Sequence, residues 1–468
     1  MTLSRQLARR IRACSFAEIP AAVRSCGRLH LLDAIGVALA SVGTGVGKPY
    51  LSAAAALGGV GSATILGSSL RRDAATAALI NGGLMHGLEF DDTHTGSIVH
   101  GSAVLAPTAL AAAQEAEASG EDLLRAYILG WEVLVRMGLA APGGFQARGF
   151  QVTSVAGTLV AALQAAELAM LDENRTVAAL GIALSQAAGV FEFLSNGSSV
   201  KSMHPGWAAH AGLLAARLAA VGLSGPETAL EGGMGLFQQF ADAGAVAIER
   251  FSASLATLGQ HWHITEAAYK FLPCCHYLHP YVEALDQLGA VAAADIAAVH
   301  CWVAPGAAPI ICEPWPRKQA PASGHEARWS LPIVVAARLI DGAIGHATFA
   351  APPSEPVRDL ARRVTWSALP ASAFPRRFEA EVKVMFGDGH AQRCRIDDVF
   401  GGATRPASAA EVKAKFRANA ALCLDATAVA SLEEALETVD QHASARLALP
   451  LAVPAPAPDA ALCSGAKP

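Results

Sequence analysis

The chain has 468 residues, of which 53% are hydrophobic and 16% charged, with a formal net charge of −5. That length exceeds one ordinary hydrophobic core and predicts two domains; the mildly acidic balance, without a basic stripe, argues against nucleic acid as a partner. No run of about 20 apolar residues lacks a charge, a histidine or a Gly/Pro break, so no membrane span is expected.

The first elements are helical. Residues 3 to 43 give two helical patterns, the second from Val23 to Ala40 around Asp33, closed by Gly43 to Gly47. A short strand-like Ala63-Thr64-Ile65-Leu66 follows, then an Ala-rich helix from Asp73. The stretch Asn81 to Gln114 departs from the rest of the chain. It carries His86-Gly87-Leu88-Glu89-Phe90-Asp91-Asp92-Thr93-His94, turns at Gly96, and re-enters an apolar helix after His100-Gly101-Ser102. Three carboxylates and three histidines within so short an apolar segment need partners, because a buried charge is paired or loses its ionisation. Helical periodicity then runs from Thr108 to Met137, interrupted at Gly120 with an acidic restart at Glu121-Asp122. Val155–Leu171, Asn174–Gly189 and Ala208–Ala220 are further helices, apolar nearly all round and therefore enclosed.

Near residue 270 the texture changes. Ile296–Val303 and Val382–Phe386 are β-branched runs, and the second enters the turn Gly387-Asp388-Gly389 before Ala391–Ile396, a hairpin pattern. Between them a helix, Leu331–Asp341, ends at Gly342. Ala409–Leu422 and Ser431–Ala445 return to helix, and the Pro-rich tail from Pro450 has few packing residues. The nine cysteines lack C-x₂-C spacing and suit a reducing compartment. The Arg-rich start has no apolar h-region, so a cytoplasmic protein is expected.

Four stretches could carry chemistry. In the first, a helical reading puts Glu89, Asp92 and Thr93 on one face, and His100 at a helix N-terminus, where the dipole favours a neutral base. The second runs from Phe191 to His210 and places Lys201 and His204 on a short connection between buried helices, a carboxylate-binding and proton-transfer pair. The third, Lys270 to His279, lies at the junction between textures, with His276 and His279 at i, i+3; a metal there lacks a third ligand of convincing spacing. The fourth, Gly324 to Ser330, sets Arg328 and Ser330 before a helix, as an anion site or as an ordinary N-cap. Nucleotide, serine-hydrolase and zincin motifs are absent.

These four stretches, in this order, resemble the MmgE/PrpD family: His86 to His94 with Ser97-Ile98-Val99-His100, Gly197 to Lys201 with Met203 to His210, Pro273-Cys274-Cys275-His276, and Arg328-Trp329-Ser330-Leu331-Pro332. The resemblance implies a mainly α fold: a large all-helical domain from both chain ends (1–268 and 405–448), an inserted α+β lid domain (269–404) and a tail (449–468). It implies a homodimer without metal or organic cofactor, acting on small di- or tricarboxylates. Glu89, Thr93, His100, Lys201, His204 and His279 match the family's active-site positions, with Asp91 and Asp92 in the same motif. Gln151 stands where the family usually has histidine, Ile333 where it commonly has tyrosine, and Gly101 where many members have proline.

The expected activity is that of a dehydratase. His100 removes the proton α to a carboxylate; Lys201, Arg328, His204 and the remaining polar groups Glu89, Gln151, His276 and Ser330 hold the substrate; Asp91, Asp92 or His279, beside Thr93, protonates the departing hydroxyl. An epimerase, a decarboxylase and a homologue that only binds carboxylates are the alternatives.

Overall fold

The computed structural model describes residues 1–289 and 292–446, so the predicted tail lies outside the described residues. The fold is mainly α, with one small α+β region, and its apolar side chains form two main cores. One joins residues between Leu3 and Ala267 to Phe416–Ala445; the other draws on Cys274 to Ile396.

The helical core is built on alanine and glycine, which let helix axes approach closely. Helices Ala74–His86 and His204–Ala220 cross at Gly82 and Gly206, where a Cβ on Gly82 would lie 2.5 Å from the Gly206 Cα. Any side chain at that crossing would push apart the helix that ends at His86 and the helix that begins at His204. The crossing thus brings together the two chemistry-bearing stretches, which are far apart in sequence. Helices Gly101–Glu115, Val152–Leu168 and Glu173–Leu184 enclose the pair, with Gly120–Ala140 packed on the first two. Gly120–Ala140 starts with a capping box between Ser119 and Asp122, at the predicted acidic restart.

Helix Ala21–Gly43 is long and apolar enough, by length and composition, to cross a membrane, but most of it is buried within the protein. Its Asp33 pairs with Lys415 at 2.7 Å, and Lys415 lies on the C-terminal helix Ala409–Ala420, which packs along it. Cap chemistry sets the last helix: Asp425 caps Ala426–Glu437, so it begins and ends earlier than the predicted Ser431–Ala445.

In the α+β region four strands run in the order Val364–Ala368, Ile296–Val303, Ala380–Phe386, Ala391–Ile396. The last two form the predicted hairpin, and only the first pair is parallel. Val364–Ala368 carries no turn signal of its own and is absent from the sequence expectation. Helix His279–Gln287 packs on Ala380–Phe386 and Ala391–Ile396, and helix Leu331–Asp341 lies beside it against Val364–Ala368, ending at Gly342 in the left-handed conformation (φ 78°).

Candidate active site

The chain leaves helix Ala74–His86 through an irregular loop, not a continued helix, so Glu89, Asp92 and Thr93 do not share a helical face as expected. Glu89 has φ 53° and Ile98 φ 55°, left-handed conformations that cost side-chain-bearing residues of order 1–3 kcal/mol each. Three buried cations hold this loop by consecutive carbonyls. Arg328 donates to Leu88 O at 2.8 Å, Lys270 to Glu89 O at 3.1 Å and Lys415 to Phe90 O at 2.9 Å. These cations come from the α+β region, the junction and the C-terminal helix, so distant parts of the chain fix one turn.

A cavity of about 560 Å³ lies between the two cores. Glu89, Thr93, His100, Gln151 and Lys201 line it from the helical side; Cys275, His276, Tyr277 and Trp329 line it from the other. Lys201 donates to the Glu89 carboxylate and lies 5.4 Å over the Trp329 ring. Lys270 stands 3.8 Å from the other Glu89 oxygen and 3.9 Å from Asp91. Burial alone would raise the pKa of Glu89, but Lys201 and then Lys270 outweigh it and hold the carboxyl below its usual range. Asp91 is likewise held low against burial by His86 and His100.

His100 stands at the N-terminus of helix Gly101–Glu115, as expected, and burial pushes its pKa well below the ordinary value, with Asp91 opposing. Its Nδ1 lies 3.1 Å from the Asp92 carbonyl, 3.2 Å from Thr93 Oγ1 and 3.5 Å from the Asp91 carboxylate. A carbonyl only accepts, so this network implies a proton on Nδ1 and a basic Nε2. His276 is 2% exposed in the cavity wall, neither ring nitrogen has a protein partner, and burial pushes its pKa well down. A buried polar group left open in a cavity is available to a ligand.

Gln151 links two histidines. Its amide Nε2 faces His86 Nε2 at 3.4 Å, its Oε1 accepts from His204 Nδ1 at 2.8 Å, and His86 Nδ1 in turn meets Asp91 at 2.8 Å. An amide that cannot titrate therefore bridges His86 and His204.

Several expected site residues do not reach the wall. Asp92 meets His30 at 2.7 Å, accepts from Ser102 N at 3.1 Å and from the Ser102 hydroxyl, and belongs to the interior of the helical core. Asp91 stays bound to His86, and His204 to Gln151. His279 lies against His276, ring centroids 4.8 Å apart, with Nε2 turned to Cys274 O. Arg328 is spent on backbone carbonyls and lies over Phe349 at 4.8 Å. Ser330 is an N-cap: it accepts from Ile333 N at 3.2 Å and donates to Lys318 O at 2.5 Å. Ile333 is buried in the α+β core.

The profile of the MmgE/PrpD N-terminal domain matches residues 5–249, and that of the MmgE/PrpD C-terminal domain matches residues 272–441. The chain belongs to the MmgE/PrpD family. Relatives in this family include a cis-aconitate decarboxylase of Aspergillus terreus (strain NIH 2624 / FGSC A1156), 26% identical over 91% of this chain and 90% of its own. The cis-aconitate decarboxylase of Mus musculus is 29% identical over 88% and 85%, and that of Homo sapiens 30% identical over 81% and 79%.

Within this MmgE/PrpD site, His86, Asp91 and His100 place possible ligand atoms within 4.8 Å of one another. Lys270, 3.9 Å from Asp91, already supplies a fixed cation there, which opposes a metal ion on that carboxylate. The sequence reading left out Lys270, Trp329 and His86 as site residues. A lysine flanked by Tyr269 and Phe271 in an apolar segment was the available signal for the first.

Proposed function

We propose that this chain is a cofactor-independent lyase acting on a small di- or tricarboxylate, and that the bond it breaks joins a carboxylate to the carbon skeleton. The observation that carries this is a single cavity holding neutral His100, the Lys201–Glu89 pair and the open His276, with the rest of its wall mostly apolar. Lys201 would hold the carboxylate that stays. The leaving carboxylate, facing apolar groups, loses solvation that its charge-dispersed transition state needs less. The C–C bond breaks, its electron pair passes to the conjugated skeleton, CO₂ departs, and one proton from Lys201 closes the carbon, later restored by water. The decarboxylase names of the relatives support the same reading.

Dehydration, the activity first expected, is the second reading. Neutral His100 is suited to taking an α proton. The acids expected to protonate the departing hydroxyl serve poorly: Asp91 is held ionised, and Asp92 and His279 lie outside the wall. Lys201 would have to donate instead.

Incubating the purified protein with cis-aconitate and related acids in deuterated water separates the readings. Decarboxylation releases CO₂ and leaves one deuterium in the product. Dehydration gives an alkene without CO₂, and epimerisation returns labelled substrate. Absence of CO₂ release from every acid overturns the leading proposal. The homodimer implied by the resemblance belongs to the same proposal and is checked by light scattering.

A further inference from the structure

One residue beyond Thr93, outside the cavity wall, three histidines converge on one carboxylate. His94 Nε2 lies 3.2 Å and His263 Nδ1 2.9 Å from the same Glu266 oxygen, while His261 Nε2 lies 2.9 Å from the other. One possible ligand atom from each of His94, His263 and Glu266 falls within 4.8 Å of the others. A tetrahedral zinc ion with bonds of about 2.1 Å sets its ligand atoms about 3.4 Å apart, so two of these three separations already come close. The ligands are held from behind. The buried Glu132 carboxylate accepts from the backbone N–H groups of His263 and Ile264, each at 3.0 Å, and its partner Arg136 donates to His261 O at 2.9 Å. His94 Nδ1 lies 2.8 Å from Ser97 Oγ, an acceptor for its proton that frees Nε2 for a metal. Lys270 already pairs with Asp91 in the cavity, whereas among the described residues no lysine or arginine pairs with Glu266. His263 and Glu266 keep 13% and 35% of their side chains exposed, which leaves an ion a way in.

We propose that His94, His263 and Glu266, with His261 closing the fourth position, bind one divalent transition-metal ion of the zinc class outside the cavity. Imidazole with carboxylate suits such an ion, whereas magnesium and calcium take oxygen ligands. The ion takes no part in bond breaking. It ties His94 to the segment 261–266, beside the backbone pairing of Thr93 with Ala268, and so fastens from outside the turn whose Thr93 lines the cavity.

The test titrates the untagged full chain, dialysed against EDTA and then freed of it, with Zn²⁺ by calorimetry and thermal melts and with Co²⁺ by visible absorption. The expected result is one equivalent of Zn²⁺ per chain, a rise in Tm because the ion binds the folded state, and the intense visible bands of cobalt in a four-coordinate site. His263→Gln and Glu266→Gln should each weaken Zn²⁺ binding by roughly tenfold or more, and His390→Gln, an exposed histidine elsewhere, should leave it unchanged. Absence of stoichiometric binding overturns the proposal, as does binding that both site variants retain. Binding that His100→Gln abolishes and His263→Gln retains puts the ion in the cavity and overturns it too. Should both site variants not fold, His261→Gln, at a side chain 54% exposed, decides by X-ray absorption of the Zn²⁺-loaded protein. One imidazole fewer at the ion than in the unmodified protein supports the site, and an unchanged shell refutes it.

Discussion

Lys201 and Glu89, 112 positions apart in the chain, form a buried ion pair across the cavity wall, with Lys270 behind the carboxylate. Removing one partner of a buried pair leaves the other charge uncompensated, at about 3–5 kcal/mol. Glu89→Gln should therefore destabilise more than Lys201→Met, which leaves Glu89 facing Lys270. The double variant should lose less than the sum of the two. Urea unfolding at pH 7 measures all three, and strict additivity would show that the pair is not energetically coupled. Lys201→Met should also cut turnover by about 10²–10³-fold, the usual loss when a fixed charge-stabilising donor is removed.

The pH dependence of stability follows from the buried histidines. Burial lowers the pKa of His100 and His276 well below the ordinary value, that of His204 to about 4 and that of His279 to about 3. Each is neutral in the fold and protonated in the unfolded chain below about pH 6.5, so its stabilisation is present above that pH and lost as pH falls toward the folded value. Every such histidine removes about 2 kcal/mol by pH 5 at 1.36 kcal/mol per unit. Glu89 and Asp91 contribute nothing to this window, since their depressed pKa values matter only below the ordinary carboxylate range. His30, raised to about 10 against burial, mainly through Cys26 and then Asp92, adds stability that is full below about pH 6.5 and lost progressively as pH rises toward 10. Thermal melts between pH 8 and 5 should show a steep fall in Tm beginning near 6.5, and a flat profile contradicts the neutral histidines.

His100 carries the same logic into the rate. As the α-proton base of the dehydration reading, already neutral near pH 7, it should give that activity a kcat/KM profile that stays level through pH 6.5 and drops only well below it. His100→Gln should then abolish dehydration while the protein still gains Tm from added dicarboxylate, whereas CO₂ release, which asks no proton of His100, should continue. A His100→Gln protein that still dehydrates, or an acid limb at 6.5, removes His100 from that chemistry.

The residues that sequence reading placed correctly are those whose role is set by local rules. His100 at a helix start, the Gly387-Asp388-Gly389 hairpin and Gly342 at a helix end all announce themselves within a few positions. What escaped it depends on distant partners. Asp92 reads like Asp91 in the sequence, yet His30 and Ser102 draw it into the core while His86 holds the other at the site. His276 and His279 differ only in which side of one short turn meets the cavity. The parallel strand Val364–Ala368 exists because Ile296–Val303 offers it an edge, which no local pattern reveals.

Gln151 gives a sharper test of the bridge it forms. Gln151→Leu keeps the volume but leaves His204 Nδ1 and His86 Nε2 without that partner, at about 1–3 kcal/mol for each buried group left unsatisfied. Gln151→His can restore at most one of the two bonds, because a neutral imidazole has one donor and one acceptor on diverging axes. The expected order of stability is wild type, Gln151→His, Gln151→Leu, read by urea unfolding at pH 8, where added histidine charge does not intrude. Equal stability of all three would mean that the bridge is not formed in solution.

Ser330 and Arg328 separate fold from chemistry. Ser330 caps helix Leu331–Asp341 and lies outside the cavity wall, so Ser330→Ala should lose about 0.5–2 kcal/mol of stability with KM for any substrate unchanged. Arg328 fastens Leu88 and Pro273, one on each side of the junction, through a single planar guanidinium. Both bonds leave the same terminal nitrogen, which lies one bond farther out than a lysine ammonium reaches. Arg328→Lys should release the turn that carries Glu89, whose left-handed backbone then relaxes, so kcat should fall together with stability while the affinity for a carboxylate changes less. If instead KM for every acid rises in proportion to its carboxylate count and the melting temperature stays put, Arg328 binds substrate directly, and the carbonyl contacts are not its working state.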